Sequence, residues 1–384
     1  MIKIDTENID EEKETKTEVP AYTSYKPDIE KIKQLKEGRE FDNLVVIGNG
    51  GSITSFRAYY YAFIDETDVN VHIVTTMDPD YLERLDQATS KKDTLVMPIS
   101  KSGQTVGVIE SLLYFLDRDY DFLPVTSDND GALRQIAEER DKEFVEHPDI
   151  GGRFTGAVET ALTPVYFAGI DIEPIRKGAE KVYADPEKPY RAAKTLYRAE
   201  NNGYNEILTP FYSTRLFGYY PLLVQLMHET VCKDKQGQTV YGDLAPEYQH
   251  HTNQRLFGGK KNVIPLFVNL SSHKHAEMRV PEDLKEVDIR DRKLGELGEG
   301  RDYESALKSE YEGVRQALEE HKMPYINLEL DSLGLEEAGQ LTAFLQLMAV
   351  RSAELREVNP FNQPDVETSK KLGLQNRFEK GDLE

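Results

Sequence analysis

The chain has 384 residues, enough to bury a large core and to divide into two domains. Its formal charge of −22 argues against a nucleic-acid partner, because phosphate backbones attract clustered Lys and Arg. A single cysteine, Cys232, excludes an internal disulfide framework and a multi-cysteine zinc site, and no apolar run reaches the roughly 18 residues of a membrane span. The acidic start, Met1 to Glu18, has no apolar signal region, so a cytoplasmic location is expected.

In chain order, residues 1–38 read as a charged tail with a short amphipathic helix at Pro27–Leu35. Apolar blocks then alternate with helical periods. Strands are expected at 43–48, 70–75, 93–100, 122–126 and 143–146, and helices at 52–63, 79–89, 105–117 and 131–140. Repeated βα units of this kind predict an α/β fold with a doubly wound parallel sheet. Helices at 157–168 and 173–184 follow, and Asp185–Pro189 reads as a turn or linker. A second α/β unit has strands at 205–211, 262–269 and 323–330, with helices at 190–201, 214–231, 303–321 and 334–357. The polar stretch 271–302 reads as an excursion at its edge. The expected domains are therefore 39–186 and 187–358, preceded by 1–38 and followed by a C-terminal arm, 359–384.

Two strand-to-helix turns carry chemistry. Gly48-Asn-Gly50-Gly51-Ser52 follows the strand Asn43–Ile47, and its glycines let the backbone come close to a ligand. The dinucleotide fingerprint fails because Ile53 holds the third glycine position, and no Gly-Lys-Ser/Thr completes a Walker loop. Ser100-Lys101-Ser102-Gly-Gln-Thr105 gathers three hydroxyls and free N–H groups at a helix start, where the dipole favours an anion. Ser and Thr are also ordinary helix caps, so this turn alone fits either reading. Two such turns beyond strand ends suggest a small phosphorylated ligand rather than a nucleotide.

These turns resemble the paired loops of sugar isomerase (SIS) domains, and four later motifs are similar to those of the glucose-6-phosphate isomerase family. Gly151-Gly-Arg153-Phe-Thr155 resembles its Gly-Gly-Arg-Phe/Tyr-Ser signature. Gln225-Leu-Met-His-Glu229 resembles the helix that bears its catalytic glutamate. Gln249-His250, with Gln254 and Gly258-Gly259, resembles the segment of its catalytic histidine. Asn359-Pro-Phe-Asn-Gln363 through Val366-Glu367 to Lys370 resembles its C-terminal motif. Six motifs stand in family order from residue 48 to 370. The chain departs from the pattern at Glu229-Thr-Val-Cys-Lys233, at Tyr248 before Gln249, at Asp365, and at the adjacent pairs His250-His251 and Lys370-Lys371.

The resemblance implies two SIS-type domains and an aldose–ketose isomerase of glycolysis and gluconeogenesis, acting on glucose 6-phosphate and fructose 6-phosphate without metal or organic cofactor. Glu229 would move the proton between C1 and C2. His250, with His251 as the alternative, would open the sugar ring near neutral pH with help from Lys370. Arg153 would balance the enediolate charge, and Gln225 and Gln363 would contact substrate hydroxyls. Gly50, Gly51, Ser52, Ser100, Lys101, Ser102 and Thr105 would hold the substrate. An adjacent histidine pair can also ligate a metal, but it has no third ligand nearby in sequence. The resemblance further implies a homodimer in which the neighbouring subunit supplies the histidine. Two other readings fit the pattern: an isomerase that also takes mannose 6-phosphate, and a sugar-phosphate-binding regulator. The joint presence of Glu229, His250, Arg153 and Lys370 speaks against the regulator, which needs only the phosphate loops.

Overall fold

A computed structural model of the chain describes residues 2–7, 18–273, 277–298 and 301–379. Where a charged tail is expected, strand β1 (Ile2–Glu7) alternates buried Ile2 and Ile4 with exposed Lys3 and Asp5. That period of two suits the edge of a half-buried sheet, and the expectation for 2–7 is corrected accordingly. Residues 8–17 of the expected tail lie outside the described residues. Helix α1 (Ile29–Lys36) buries Ile32 and Leu35 and is capped by Asp28, which accepts from the Lys31 amide at 2.9 Å.

The first sheet is built from β2 (Asn43–Ile47), α2 (Thr54–Ala62), β3 (Asn70–Val74), α3 (Pro79–Ala88), β4 (Thr94–Pro98), α4 (Val106–Leu116) and β5 (Asp121–Phe122). Its order is β3-β2-β4-β5 and every pairing is parallel. The strand expected at 122–126 is broken at Pro124, which has no N–H to donate. Beyond it β6 (Val125–Thr126) is followed by α5 (Ala132–Glu139) and pairs in parallel with β7 (Val145–Glu146). The connections that leave β2 and β4 run in opposite directions, to β3 and β5, so the switch point lies between the carboxyl ends of β2 and β4. Both candidate turns open there.

Helices α6 (Glu159–Phe167), α7 (Glu173–Ala184) and α8 (Glu187–Asn201) lead to β8 (Glu206–Phe211), α9 (Tyr220–Val231), β9 (Thr239–Leu244), α10 (Thr252–Gly258) and β10 (Val263–Leu270). The helix expected from 214 becomes α-helical only at Tyr220. A 3-10 turn at Leu216–Tyr219 precedes it, and Pro221 sits in the first turn, where its missing N–H costs nothing. The polar excursion holds the hairpin β11 (Asp288–Ile289) and β12 (Arg292–Lys293) and the short α11 (Leu294–Gly298). Then come α12 (Tyr303–Glu320), β13 (Tyr325–Leu330), α13 (Leu335–Leu355) and α14 (Glu367–Phe378). The second sheet has the order β1-β13-β10-β8-β9, parallel except for β1, which runs antiparallel to β13. Strand β9 is not visible in the sequence pattern, since only Val240 among its apolar residues is fully buried.

One apolar cluster joins the two sheets, with Leu44 and Val46 of β2 in the same core as Ile207 of β8 and Ile326 of β13. Helix α13 runs through it and is buried on all sides from Ala338 to Val350, as a central helix should be. It crosses α7 at backbone contact. A Cβ on Gly178 would lie 1.9 Å from the Glu336 carbonyl oxygen, and one on Gly339 would lie 1.9 Å from that of Ile175. Tight packing thus spans the boundary expected at 186. Among the described residues no helix is long and apolar enough to cross a membrane.

Candidate active site

The carboxyl ends of β2, β4, β6 and β7 converge on a cavity of about 860 Å³. Asn49, Gly50, Gly51 and Ser52 form one wall, with Gly50 in the left-handed region at φ +54. Lys101, Ser102 and Thr105 form a second wall at the start of α4. Ser100 is placed differently from the expectation of a ligand contact. It is buried behind the turn and absent from the cavity wall, and its hydroxyl lies 2.8 Å from that of Thr105. Thr105 is the N-cap of α4, yet its side chain makes no capping bond. The first-turn N–H groups are therefore not covered by the cap side chain, which suits an anion.

A third loop, unremarked in the sequence, shapes this wall. The Ser127 amide and Asn129 Nδ2 both donate to the Lys101 carbonyl, at 3.2 and 3.1 Å. Lys101 Nζ rests 2.7 Å from Asp149 Oδ1 and holds that carboxyl below the usual range. Both side chains are exposed, so the pair is weak and the ammonium can turn to a dianion at small cost. His147, at the end of β7, also borders the cavity and is buried. Its Nδ1 pairs with the Pro148 carbonyl at 2.8 Å, while Nε2 has no partner. Burial, with Lys101 nearby, pulls its pKa down to about 4. The signal for these residues is positional: they follow the short parallel strands β6 and β7.

The floor comes from α9. Gln225 and Glu229 lie one turn apart on it, and Gln225 Nε2 donates to Glu229 Oε1 at 3.0 Å. Thr54 of α2 donates to Gln225 Oε1 at 2.8 Å and fixes the amide orientation. Glu229 stands in the last turn of its helix, where the carbonyl ends disfavour a carboxylate. Arg153 compensates: its Nη1 lies 3.3 Å from Glu229 Oε2.

Arg153 is 3% exposed, and each of its nitrogens is engaged. Nε donates to Thr230 Oγ1 at 2.8 Å, and Nη1 also donates to Gln363 Oε1 at 2.9 Å. Nη2 donates to the carbonyls of Pro360 and Asn362 at 2.6 and 3.2 Å. Burial lowers the guanidinium pKa and the Glu229 carboxylate opposes that shift. The residue expected to contact an enediolate is thus a fixed cation held by the scaffold, with its donors already committed.

The arm closes the remaining side. Phe361, Gln363, Val366 and Lys370 border the cavity, and Lys370 Nζ meets Glu367 at 2.9 Å in an exposed pair. Lys101, Arg153 and Lys370 share the cavity lining with the carboxylates of Asp128, Glu146, Asp149 and Glu229, so the three cations are set among acidic groups. His250 stands elsewhere, exposed on the 3-10 turn Glu247–His250 beyond β9, and does not border this cavity. His251 is also exposed, with Nδ1 2.7 Å from the Thr252 hydroxyl and Nε2 3.8 Å from Asp243.

No family model matches the chain. Curated relatives named glucose-6-phosphate isomerase match it along most of its length. That of Methanocaldococcus jannaschii is 26% identical over 364 residues, spanning 91% of this chain and 86% of the relative. One from Thermus thermophilus is 29% identical over 374 residues, spanning 90% and 87%. A solved structure of a hypothetical protein from Thermus thermophilus superposes with a TM-score of 0.81 at 27% identity, covering 91% of this chain and 86% of that one. A glucose-6-phosphate isomerase from Chlamydia trachomatis shares the fold, with a TM-score of 0.76 at 21% identity over 92% and 72% of the two chains. With six motifs in order, two sheets in this arrangement and relatives matched nearly end to end, the chain is a SIS-domain-fold protein related to the glucose-6-phosphate isomerase family.

Proposed function

We propose that the protein interconverts glucose 6-phosphate and fructose 6-phosphate. The observation that carries this reading is the pairing of a hydroxyl-rich helix start with a carboxylate, Glu229, on the floor of the same cavity. The phosphate sits at the amino end of α4 against Ser102 and Thr105, with Lys101 released from Asp149. Glu229 takes the proton from C2 and returns it to C1, and the reverse reaction retraces the path. A second proton passes from the O2 hydroxyl to O1, so the atoms balance, the overall oxidation state is conserved and no external electron acceptor is needed. The enediolate forms beside the fixed charge of Arg153, which needs no reorganisation at the moment of reaction. Gln225 and Gln363 hold hydroxyls of the open chain.

Ring opening requires a proton shuttle between O1 and O5, and His250 is assigned to it with Lys370 assisting. Because His250 is exposed and apart from the cavity of its own chain, the reading has it serve the cavity of a second copy in a homodimer. A coupled assay that follows glucose 6-phosphate formed from fructose 6-phosphate, run with and without chelator, tests the function. Turnover unchanged by chelator is expected, and absence of turnover overturns the reading.

A further inference from the structure

Helix α14 has no buried residue, so apolar packing contributes little to holding the arm in place. Among the described contacts at its far end, Arg377 of α14 pairs with Glu110 of α4 at 2.6 Å in a partly exposed bridge, of the kind worth little. The near end is different. Lys233, two residues beyond α9, is 8% exposed. Its Nζ donates to the Asn359 carbonyl and, at 3.1 Å, to the Thr230 carbonyl. Arg153 takes the next oxygens along the arm, those of Pro360, Asn362 and Gln363. Thr230 links the two cations, since its hydroxyl accepts from Arg153 and its carbonyl from Lys233.

We propose that Lys233 is a positioning residue that, together with Arg153, fastens residues 359–363 and thereby sets Gln363 and Lys370 at the cavity. Lys233 is not part of the cavity wall, so it acts through the arm rather than on substrate. Two buried cations side by side strain each other. Burial and then Arg153 pull the Lys233 pKa down to about 8, while Glu229, Asp365 and Asp234 oppose the shift. The fastening therefore weakens as the ammonium loses its proton in the mildly alkaline range. A neutral amine still donates, but without the charge that makes such bonds about twice as strong.

The kinetic part of this inference rests on the isomerase reading; the structural part does not. Hydrogen exchange of residues 359–378 is measured in full-length wild type, Lys233→Met, Lys233→Gln and Lys233→Arg at pH 7. Exchange in the arm should rise by about tenfold or more in the Met and Gln variants, with 94–116 unaffected, and should stay near wild type in Lys233→Arg, whose fork keeps the charge. With fructose 6-phosphate, kcat of the two neutral variants should fall by about tenfold while KM changes little, because the phosphate turn is untouched. Wild type should lose kcat above about pH 8, and this limb should move upward in Lys233→Arg. Wild-type arm protection in Lys233→Met, or an unmoved alkaline limb in Lys233→Arg, overturns the proposal. So does failure of both neutral variants to fold, which would make Lys233 a core residue. If wild type has no isomerase activity, the functional reading fails while the exchange data still decide the role of Lys233.

Discussion

Gly51 and Arg153 meet backbone to backbone: a Cβ built on Gly51 would lie 2.2 Å from the amide nitrogen of Arg153 and 2.4 Å from the carbonyl carbon of Gly152. Neither neighbour is a flexible side-chain tip. The first turn is thus seated on the segment that carries the guanidinium, and these two parts of the cavity lining are coupled. Gly51→Ala should force these loops apart, cost roughly 1–3 kcal/mol as overpacking does, and reduce kcat/KM more than a surface Gly→Ala change such as Gly313→Ala. Urea unfolding of both variants measures the first effect and the coupled assay the second.

Glu229→Gln keeps shape and the hydrogen bond from Gln225 but removes basicity. We expect kcat to fall by about two to four powers of ten, with binding of a non-reacting sugar phosphate nearly intact. Retention of a tenth or more of kcat, about 1.4 kcal/mol on the barrier, would assign the proton transfer to another group.

The hydroxyls of the second turn should separate by role. Ser102→Ala with Thr105→Ala should raise KM for fructose 6-phosphate, since a hydrogen bond to a charged group is worth about 1.5–3 kcal/mol. Ser100→Ala should act mainly on stability, because that hydroxyl faces Thr105 and is buried. A KM effect for Ser100→Ala as large as that of the pair would refute this division.

Mixing Glu229→Gln protein with His250→Ala protein, each inactive alone, should restore activity after subunit exchange, because some dimers then hold one site free of both defects. Exchange confirmed by mass spectrometry with no recovery of activity would put both residues in the service of one chain.

His147 gives the protein an acid-sensitive element. Its folded pKa of about 4 lies below the ordinary histidine value, so the unfolded chain takes up the proton first as pH falls. The stability it contributes is present above about pH 6.5 and is lost toward pH 4, by up to about 3 kcal/mol. His147→Gln should flatten the drop in urea midpoint between pH 7 and 5; parallel curves for variant and wild type would exclude the effect.

The first sheet was largely legible in the sequence because apolar runs such as Leu44–Ile47 and Leu95–Met97 are bounded by turn residues and followed by clear helical periods. Much of the cavity wall followed, since ligands of such sheets lie beyond strand ends. Ser100 was misplaced because the direction of its hydroxyl depends on how the turn closes, with the Gly103 amide bonding back to the Ser100 carbonyl at 3.1 Å. The burial of Lys233 is not legible because a lysine in sequence reads as solvated, and its contact with the arm at residue 359 appears only in the fold. Strand β9 lacks a full apolar alternation, and β1 is too short and too charged to be told from a tail without its partner.

That partner has a consequence for how the molecule is made. Ile2 aligns with Leu330 and Glu7 with Tyr325, so β1 is synthesised long before the strand it pairs with. The first sheet, whose strands are close in sequence, can assemble during synthesis, whereas the second is completed only when β13 has been made and β1 docks on it. Removing residues 2–7 would leave the β13 edge unpaired, a template for pairing between chains.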